Sequence, residues 1–387
     1  MKQTFPLLLG IFFFVFTSCA HVVEEPDIKP GERPALDSDE AGLWMMMEKA
    51  EKQLRTSGRV LADTEFNNYV HDVVCQVARD YCQDIRVYVV RHAGFNASMT
   101  PTGTLEIWTG LFLRAENEAQ LAFVIGHEVS HYVSRHTLER WRYIQTATDS
   151  AALFGTVLTG GSVFMGTAAQ LATLGSIFAY SREQESEADE LGFLRLIEAG
   201  YRPAEAGRLW QIIQDEEVAA GQPDKASFLA THPSTETRIA LLRQHAEANS
   251  GSEPGVIGKE QYLSTIQRFR LEWLDEELEQ RDYDRFEHLL DQLMVSDENM
   301  GELYYFKGEL YRLRRQIGDD MRAVHAYNQA IEHQPIPAET YRSLGFVQWS
   351  LDHRKDAREA FEHYLELAPT AEDRLVIQAH IEELQEG

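Results

Sequence analysis

Basic residues are scarce in this chain. Lysine and arginine number 36 against 62 aspartates and glutamates, a formal charge of −26 at pH 7. Binding to phosphates needs a basic face, and none is present, so nucleic acid is excluded as a partner. Electrostatic adhesion to an anionic membrane surface is excluded for the same reason. The acid surplus mainly confers solubility. Cysteine is scarcer still, with three residues, Cys19, Cys75 and Cys82. Neither Cys75 nor Cys82 is placed as a zinc ligand. They are seven apart, and two turns of unbroken helix would hold their Cα atoms roughly 10 Å from each other, too far to bridge. A disulfide between them, expected in an oxidising compartment, requires the helix to end near Asp80. Charge is missing altogether from Ser150 to Ser181. Threonine, serine and glycine are dense there and Gly160-Gly161 divides the run. Two packed helices or a mobile flap beside a site, with superficial membrane contact, fit better than a membrane span.

What remains is the composition of a globular protein, 44% hydrophobic and 25% charged, and 387 residues suggest two or three domains. Lys2, the apolar run Phe5 to Phe16 and the small residues Thr17-Ser18 before Cys19 predict a signal peptide over residues 1–18. Its end resembles a bacterial lipobox, with Phe16 where leucine is usual. Cys19 is then the lipidated first residue of the mature chain, and Ala20, rather than aspartate, directs it to the outer membrane. Residues 19–40, rich in proline and acid, form a tether.

Helical spacing of apolar residues runs from Leu43 to Arg55 and from Thr64 to Arg79. Ile85 to Val90, Asn96 to Met99 and Thr104 to Trp108 predict a small antiparallel sheet, with Pro101-Thr102-Gly103 as a turn. The Asn96 to Met99 edge is either a structural edge or a place for an extended peptide to add. A helix from Glu116 to Arg135 then carries His127-Glu128-x-x-His131. Residues four apart share a helix face, so both imidazoles can reach one ion while Glu128 reaches a water beside it. With 14 histidines in the chain, the motif carries weight only if a third ligand follows. A third histidine six residues after His131 would be at 137, which is a threonine, and His136 is out of register. A downstream helix offers Glu185 and Asp189 on one face, with Glu187 off it. Three ligands, His127, His131 and Glu185, with one open position make a catalytic site for one Zn2+ per chain. Thr231-His232-Pro233 puts His232 on an exposed loop, since proline stops a helix there.

Residues 249–258 read as a linker, and everything after them as helix. Tyr341, Leu344, Gly345, Ala357, Phe361 and Pro369 fit a tetratricopeptide unit of about 34 residues. Tyr304, Gly308, Tyr311, Ala323, Tyr327, Ala330 and Pro335 fit the same frame with three extra residues between helices. A weaker unit precedes them (Leu274, Tyr283, Phe286, Leu290). Stacked repeats of this kind present a concave surface for peptide or protein.

Taken together, Asn96-Ala97, Gly126-His127-Glu128-x-x-His131, His136, Ser181-Arg182-x-x-Glu185-x-x-Ala188-Asp189, Thr231-His232-Pro233 and Arg238 resemble the HtpX/BepA-like gluzincin metallopeptidases, relatives of the CAAX prenyl proteases. The resemblance spans roughly residues 43–250. The multispan members of that group have several hydrophobic spans that this chain lacks; signal peptide, soluble protease part and C-terminal repeats look most like its periplasmic BepA branch. The lipobox departs from that branch. The resemblance implies an α+β zincin-like protease domain, mostly helical (41–248), followed by an all-α repeat domain (259–387). It implies water attack on a peptide carbonyl with Glu128 as general base. Asp189 would hold a ligand histidine or act as an acid, and His232 would occupy the open zinc position in a latent state and stabilise an oxyanion once displaced. The expected function is a periplasmic, lipid-anchored zinc endopeptidase acting on misfolded or misassembled envelope proteins. Its repeats would choose clients or engage outer-membrane assembly machinery. The other reading is a chaperone or scaffold lipoprotein with a vestigial or plugged zinc site.

Overall fold

The computed structural model describes residues 29–38, 40–147, 177–221, 228–233, 236–249, 255–296 and 299–386. The expected signal peptide, Cys19, the first part of the tether and most of the uncharged stretch 150–181 lie outside the described residues.

Helix α1 (Glu40–Thr56) and helix α2 (Thr64–Ala78) come first. Asp63 starts α2, its carboxylate accepting the Phe66 N–H at 2.8 Å. Arg79 ends it by turning left-handed at φ 52. A 3-10 turn, Arg79–Asp84, then folds the chain back, and a disulfide joins Cys75 to Cys82 with their Cα atoms 4.7 Å apart. The helix stops where that pairing requires.

Strands β1 (Arg86–Val90), β2 (Ala97–Met99) and β3 (Thr104–Trp108) form a three-stranded sheet in the order β1-β3-β2. The hairpin β2-β3 is antiparallel, but β1 runs parallel to β3, Val89 opposite Ile107. The sheet is therefore mixed where the sequence suggested antiparallel. After β1 the chain crosses to the far side of β3 before turning back, and no local signal marks that crossing. Residues 59–61 cover the outer side of β1, Leu61 N donating to Val89 O at 2.8 Å and Arg91 N to Arg59 O at 2.9 Å. Among the described strands, β2 is left as the edge nearest the helix that carries His127 and His131.

Helix α3 (Thr109–Arg114) leads into α4 (Glu118–Val133), which Asn117 caps by accepting the Gln120 N–H at 3.0 Å. Every residue of α4 from Ala119 to Tyr132 is buried, as befits a helix running through the core. Around it lie α5 (His136–Ala147), α6 (Arg182–Glu198), α7 (Ala204–Ala219), the single turn α8 (Phe228–Thr231) and α9 (Glu236–Ala248). Ser181 and Gln184 form a capping box at the start of α6. Helices α4 and α6 cross at Gly126 and Gly192, where a Cβ on Gly192 would stand 2.8 Å from the His127 nitrogen. Only glycine permits that approach, and it brings the first turn of α6 against the two histidines.

The C-terminal part is helical throughout: α10 (Lys259–Glu279), α11 (Tyr283–Ser296), α12 (Met300–Arg314), α13 (Asp319–Glu332), α14 (Glu339–Ser350), α15 (Arg354–Leu367) and α16 (Arg374–Glu386). Gly308 of α12 meets the Tyr327 ring of α13, and Gly345 of α14 meets the Phe361 ring of α15. Two helix pairs thus close on the same glycine-aromatic contact. The main core does not stop at the linker. Tyr262, Trp273, Phe286 and Phe306 belong to the same buried cluster as Phe66, Phe112 and Val124, and Tyr262 donates to Phe112 O at 2.9 Å. Among the described residues, no helix is long and apolar enough to cross a membrane.

Candidate metal centre

His127 and His131 leave α4 one turn apart, their Nε2 atoms 3.1 Å from each other. Glu185, in the first turn of α6, places a carboxylate oxygen 3.5 Å from each of those nitrogens. His232, just past α8, completes the group with Nδ1 3.0 Å from Glu185 Oε1 and 3.3 Å from His127 Nε2. All four are buried, and one ligand atom from each lies within 4.8 Å of the others. Imidazole lone pairs and a carboxylate converging away from water repel one another unless a proton or a cation sits among them. Two or three nitrogens with one carboxylate oxygen are a donor set suited to zinc. The residues present therefore fit a divalent metal.

His232 was expected on an exposed loop, and the structure corrects this. It is 1% exposed. The single turn of α8, closed by His232 N donating to Phe228 O at 2.8 Å, swings the residue inward before Pro233 redirects the chain. Phe228 stacks on its ring at a centroid distance of 4.3 Å. Its Nε2 faces Glu128, 3.6 Å away. Glu128 is fully buried in the same space.

A second layer holds these groups. Asp189, one turn after Glu185, sets Oδ1 3.0 Å from His127 Nδ1. Arg238 grips Asp189 with two nitrogens at 2.6 and 2.8 Å and reaches Glu185 Oε2 with a third at 2.8 Å. Trp210 donates to Asp189 Oδ1 at 3.0 Å. Tyr180 stacks on His131 at 3.8 Å, and Thr137 hydrogen-bonds its hydroxyl at 2.8 Å. Glu187 points outward, its side chain 56% exposed. The helical-face reading thus separates Glu185 and Asp189 from Glu187 as the structure does. Sequence reasoning gave no role to Arg238, Tyr180 or Trp210. Their only signal was the position of Arg238 within the motif after His232, because their partners lie on other elements.

The charges are interdependent. Burial raises the Glu128 carboxyl above its ordinary range, against the pull of His232 and His127. Burial would also raise Glu185, but His232, His127 and Arg238 outweigh it and hold that carboxyl low. At Asp189 burial is overcome by the Arg238 hydrogen bonds, and the carboxyl stays ionised. Burial lowers His131, reinforced by the neighbouring His127 and His232. His232 is raised, because Glu185 and Glu128 outweigh burial. A metal among these groups would take the place of protons on them.

Sequence comparison finds similarity to known peptidases. Residues 61–246 match the sequence profile of Peptidase family M48. A 205-residue stretch is 26% identical to the beta-barrel assembly-enhancing protease of Escherichia coli, covering 50% of this chain and 42% of that protein. A 161-residue stretch is 30% identical to the mitochondrial metalloendopeptidase OMA1 of Schizosaccharomyces pombe, covering 41% of this chain and 45% of that protein. With its Arabidopsis thaliana counterpart the identity is 32% over 178 residues, 45% of this chain and 33% of the relative. The matched stretch is less than half the length of each of these relatives.

Proposed function

We propose that this chain, whose residues 61–246 form an M48 peptidase domain of the HtpX/BepA-like kind, is a zinc endopeptidase of the bacterial envelope. The observation that carries this reading is the buried convergence of His127, His131, Glu185 and His232 with Glu128 beside them. A binding module has no need of a general base there.

In this reading His127, His131 and Glu185 hold one zinc ion. When bound, zinc supplies the Lewis acidity that activates water and polarises the scissile carbonyl. Glu128 accepts the proton of the attacking water and passes it to the leaving amine. Asp189 fixes the orientation of His127, and Arg238 ties Asp189 and Glu185 into one rigid unit. His232 would be a further ligand when zinc is bound, keeping the enzyme latent, and once withdrawn would donate to the developing oxyanion. The edge strand β2, whose Met99 backbone faces Glu128, accepts an extended peptide by strand addition.

The remaining assignments belong to the same proposal. Residues 1–18 are a signal peptide, Cys19 carries the lipid that anchors the protein to the outer membrane, and 19–40 are the tether. Residues 41–248 are the protease domain, 249–258 the linker and 259–387 tetratricopeptide-like repeats that select misfolded or misassembled envelope proteins or engage the outer-membrane assembly machinery. One observation favours a second reading, a client-binding scaffold with a plugged site: His232 already lies within the ligand group.

Zinc content and casein cleavage separate the two. Wild type holds one zinc and cuts, Glu128→Gln holds zinc without cutting, and His232→Ala, freed from latency but short of the oxyanion donor, holds zinc and still cuts. Glu185→Gln loses zinc and Glu187→Gln retains it. If wild type and His232→Ala both hold zinc and neither cuts, the protease reading fails.

A further inference from the structure

His136 starts α5 and is 2% exposed. The chain leaves α4 and bends sharply, Arg135 adopting φ 60. That bend returns the His136 ring beneath α4, with its Nδ1 2.9 Å from His131 Nδ1. The other nitrogen of His131, Nε2, is the one facing His127 and Glu185. On its far side, His136 Nε2 lies 3.6 Å from Glu187 Oε2, and the Ser134 hydroxyl donates to the other Glu187 oxygen at 3.2 Å.

From this geometry we infer that His136 is a positioning residue: a neutral histidine that accepts the Nδ1–H of His131 and passes the restraint to Glu187. The inference rests on the metal reading above. An imidazole that ligates through Nε2 keeps its proton on Nδ1 and needs an acceptor there. Two Nδ1 atoms at hydrogen-bond distance cannot both carry a proton, so the Nδ1 of His136 is bare and its proton sits on Nε2, toward the carboxylate. The two ligand histidines are thus held differently. His127 meets the buried Asp189 directly, whereas His131 is tied through a second imidazole to a carboxylate at the surface. The chain fixes the tautomer of His131 as well as the angle of its ring.

The test is zinc affinity, measured by chelator competition on the full chain, with melting of the metal-free protein alongside. His136→Phe fills the space without an acceptor and weakens zinc binding about 10- to 100-fold. His136→Asn, whose Oδ1 can stand near the lost Nδ1, recovers most of that affinity. Equal affinity in wild type and His136→Phe overturns the inference. So does a loss that His136→Asn does not recover, which would mark the histidine as packing alone. A wild-type chain that binds no zinc overturns the metal reading itself, and this inference with it.

Discussion

Single charged residues in this protein owe their behaviour to partners on other elements. Glu51 of α1 shows this away from the metal site. It accepts from Arg86 Nε and Nη2 at 2.7 and 2.8 Å and from the Tyr88 hydroxyl at 2.9 Å. The Arg86 hydrogen bond is the main reason its pKa falls from 4.5 to about 2. Because the folded value lies below the ordinary one, the stabilisation is complete above pH 4.5 and fades as pH falls toward about 2. Glu51→Gln should therefore unfold at lower urea than wild type at neutral pH, with the gap narrowing below pH 4.5; a gap independent of pH would contradict this. At the metal site the same dependence limited what could be read from sequence. The choice of Glu185 over Glu187 followed from helical spacing alone. The burial of His232 did not, because it depends on Phe228 and on the turn of α8.

At the scale of elements, local chemistry set the helix ends. Asp63 starts α2, Asn117 starts α4, and the Ser181–Gln184 box starts α6. These caps are hydrogen bonds between residues three apart in the chain. The parallel alignment of β1 with β3 is a long-range choice and was misjudged. The close approach at two glycines is long-range as well. Gly126 and Gly192 carry no periodic signal, yet their contact sets how closely Glu185 approaches the histidines. Gly192→Ala should push α6 away from α4, destabilise the fold by about 1–3 kcal/mol and weaken zinc binding. Both are measurable by urea unfolding and chelator competition, and a variant with unchanged zinc affinity would show that the crossing does not position the site.

At the scale of the molecule, buried charge joins the peptidase part to the helices after it. Arg114 of α3 is 0% exposed. It contacts Glu216 of α7 at 2.7 Å and Glu277 of α10 at 2.5 Å. Glu277 also accepts the Gly94 N–H at 2.6 Å. Removing the arginine leaves Glu277 buried without its cation and Glu216 with only Arg285, 3.3 Å away. Arg114→Ala should cost about 3–5 kcal/mol in denaturant unfolding, more than an exposed pair such as Arg33–Glu48 would. A loss below about 1 kcal/mol would show that the triad is solvated and does not bind the two parts together. The continuous core across residues 255–310 points the same way.

The sequence by itself determined the chemistry that depends on local order: the spacing of His127, Glu128 and His131, the inward face of Glu185 and Asp189, and the all-helical C-terminal part. These follow from helix geometry and hydrogen bonds between near neighbours. Tertiary structure alone decided the rest: that His232 is buried among His127, His131 and Glu185, that Arg238 clamps both acids, that His136 reaches back to His131, and that the helices from α10 to α12 share the main core. Each of these is a contact between residues distant in the chain. Their position in space depends on how helices cross and chains bend, which no short stretch of sequence encodes.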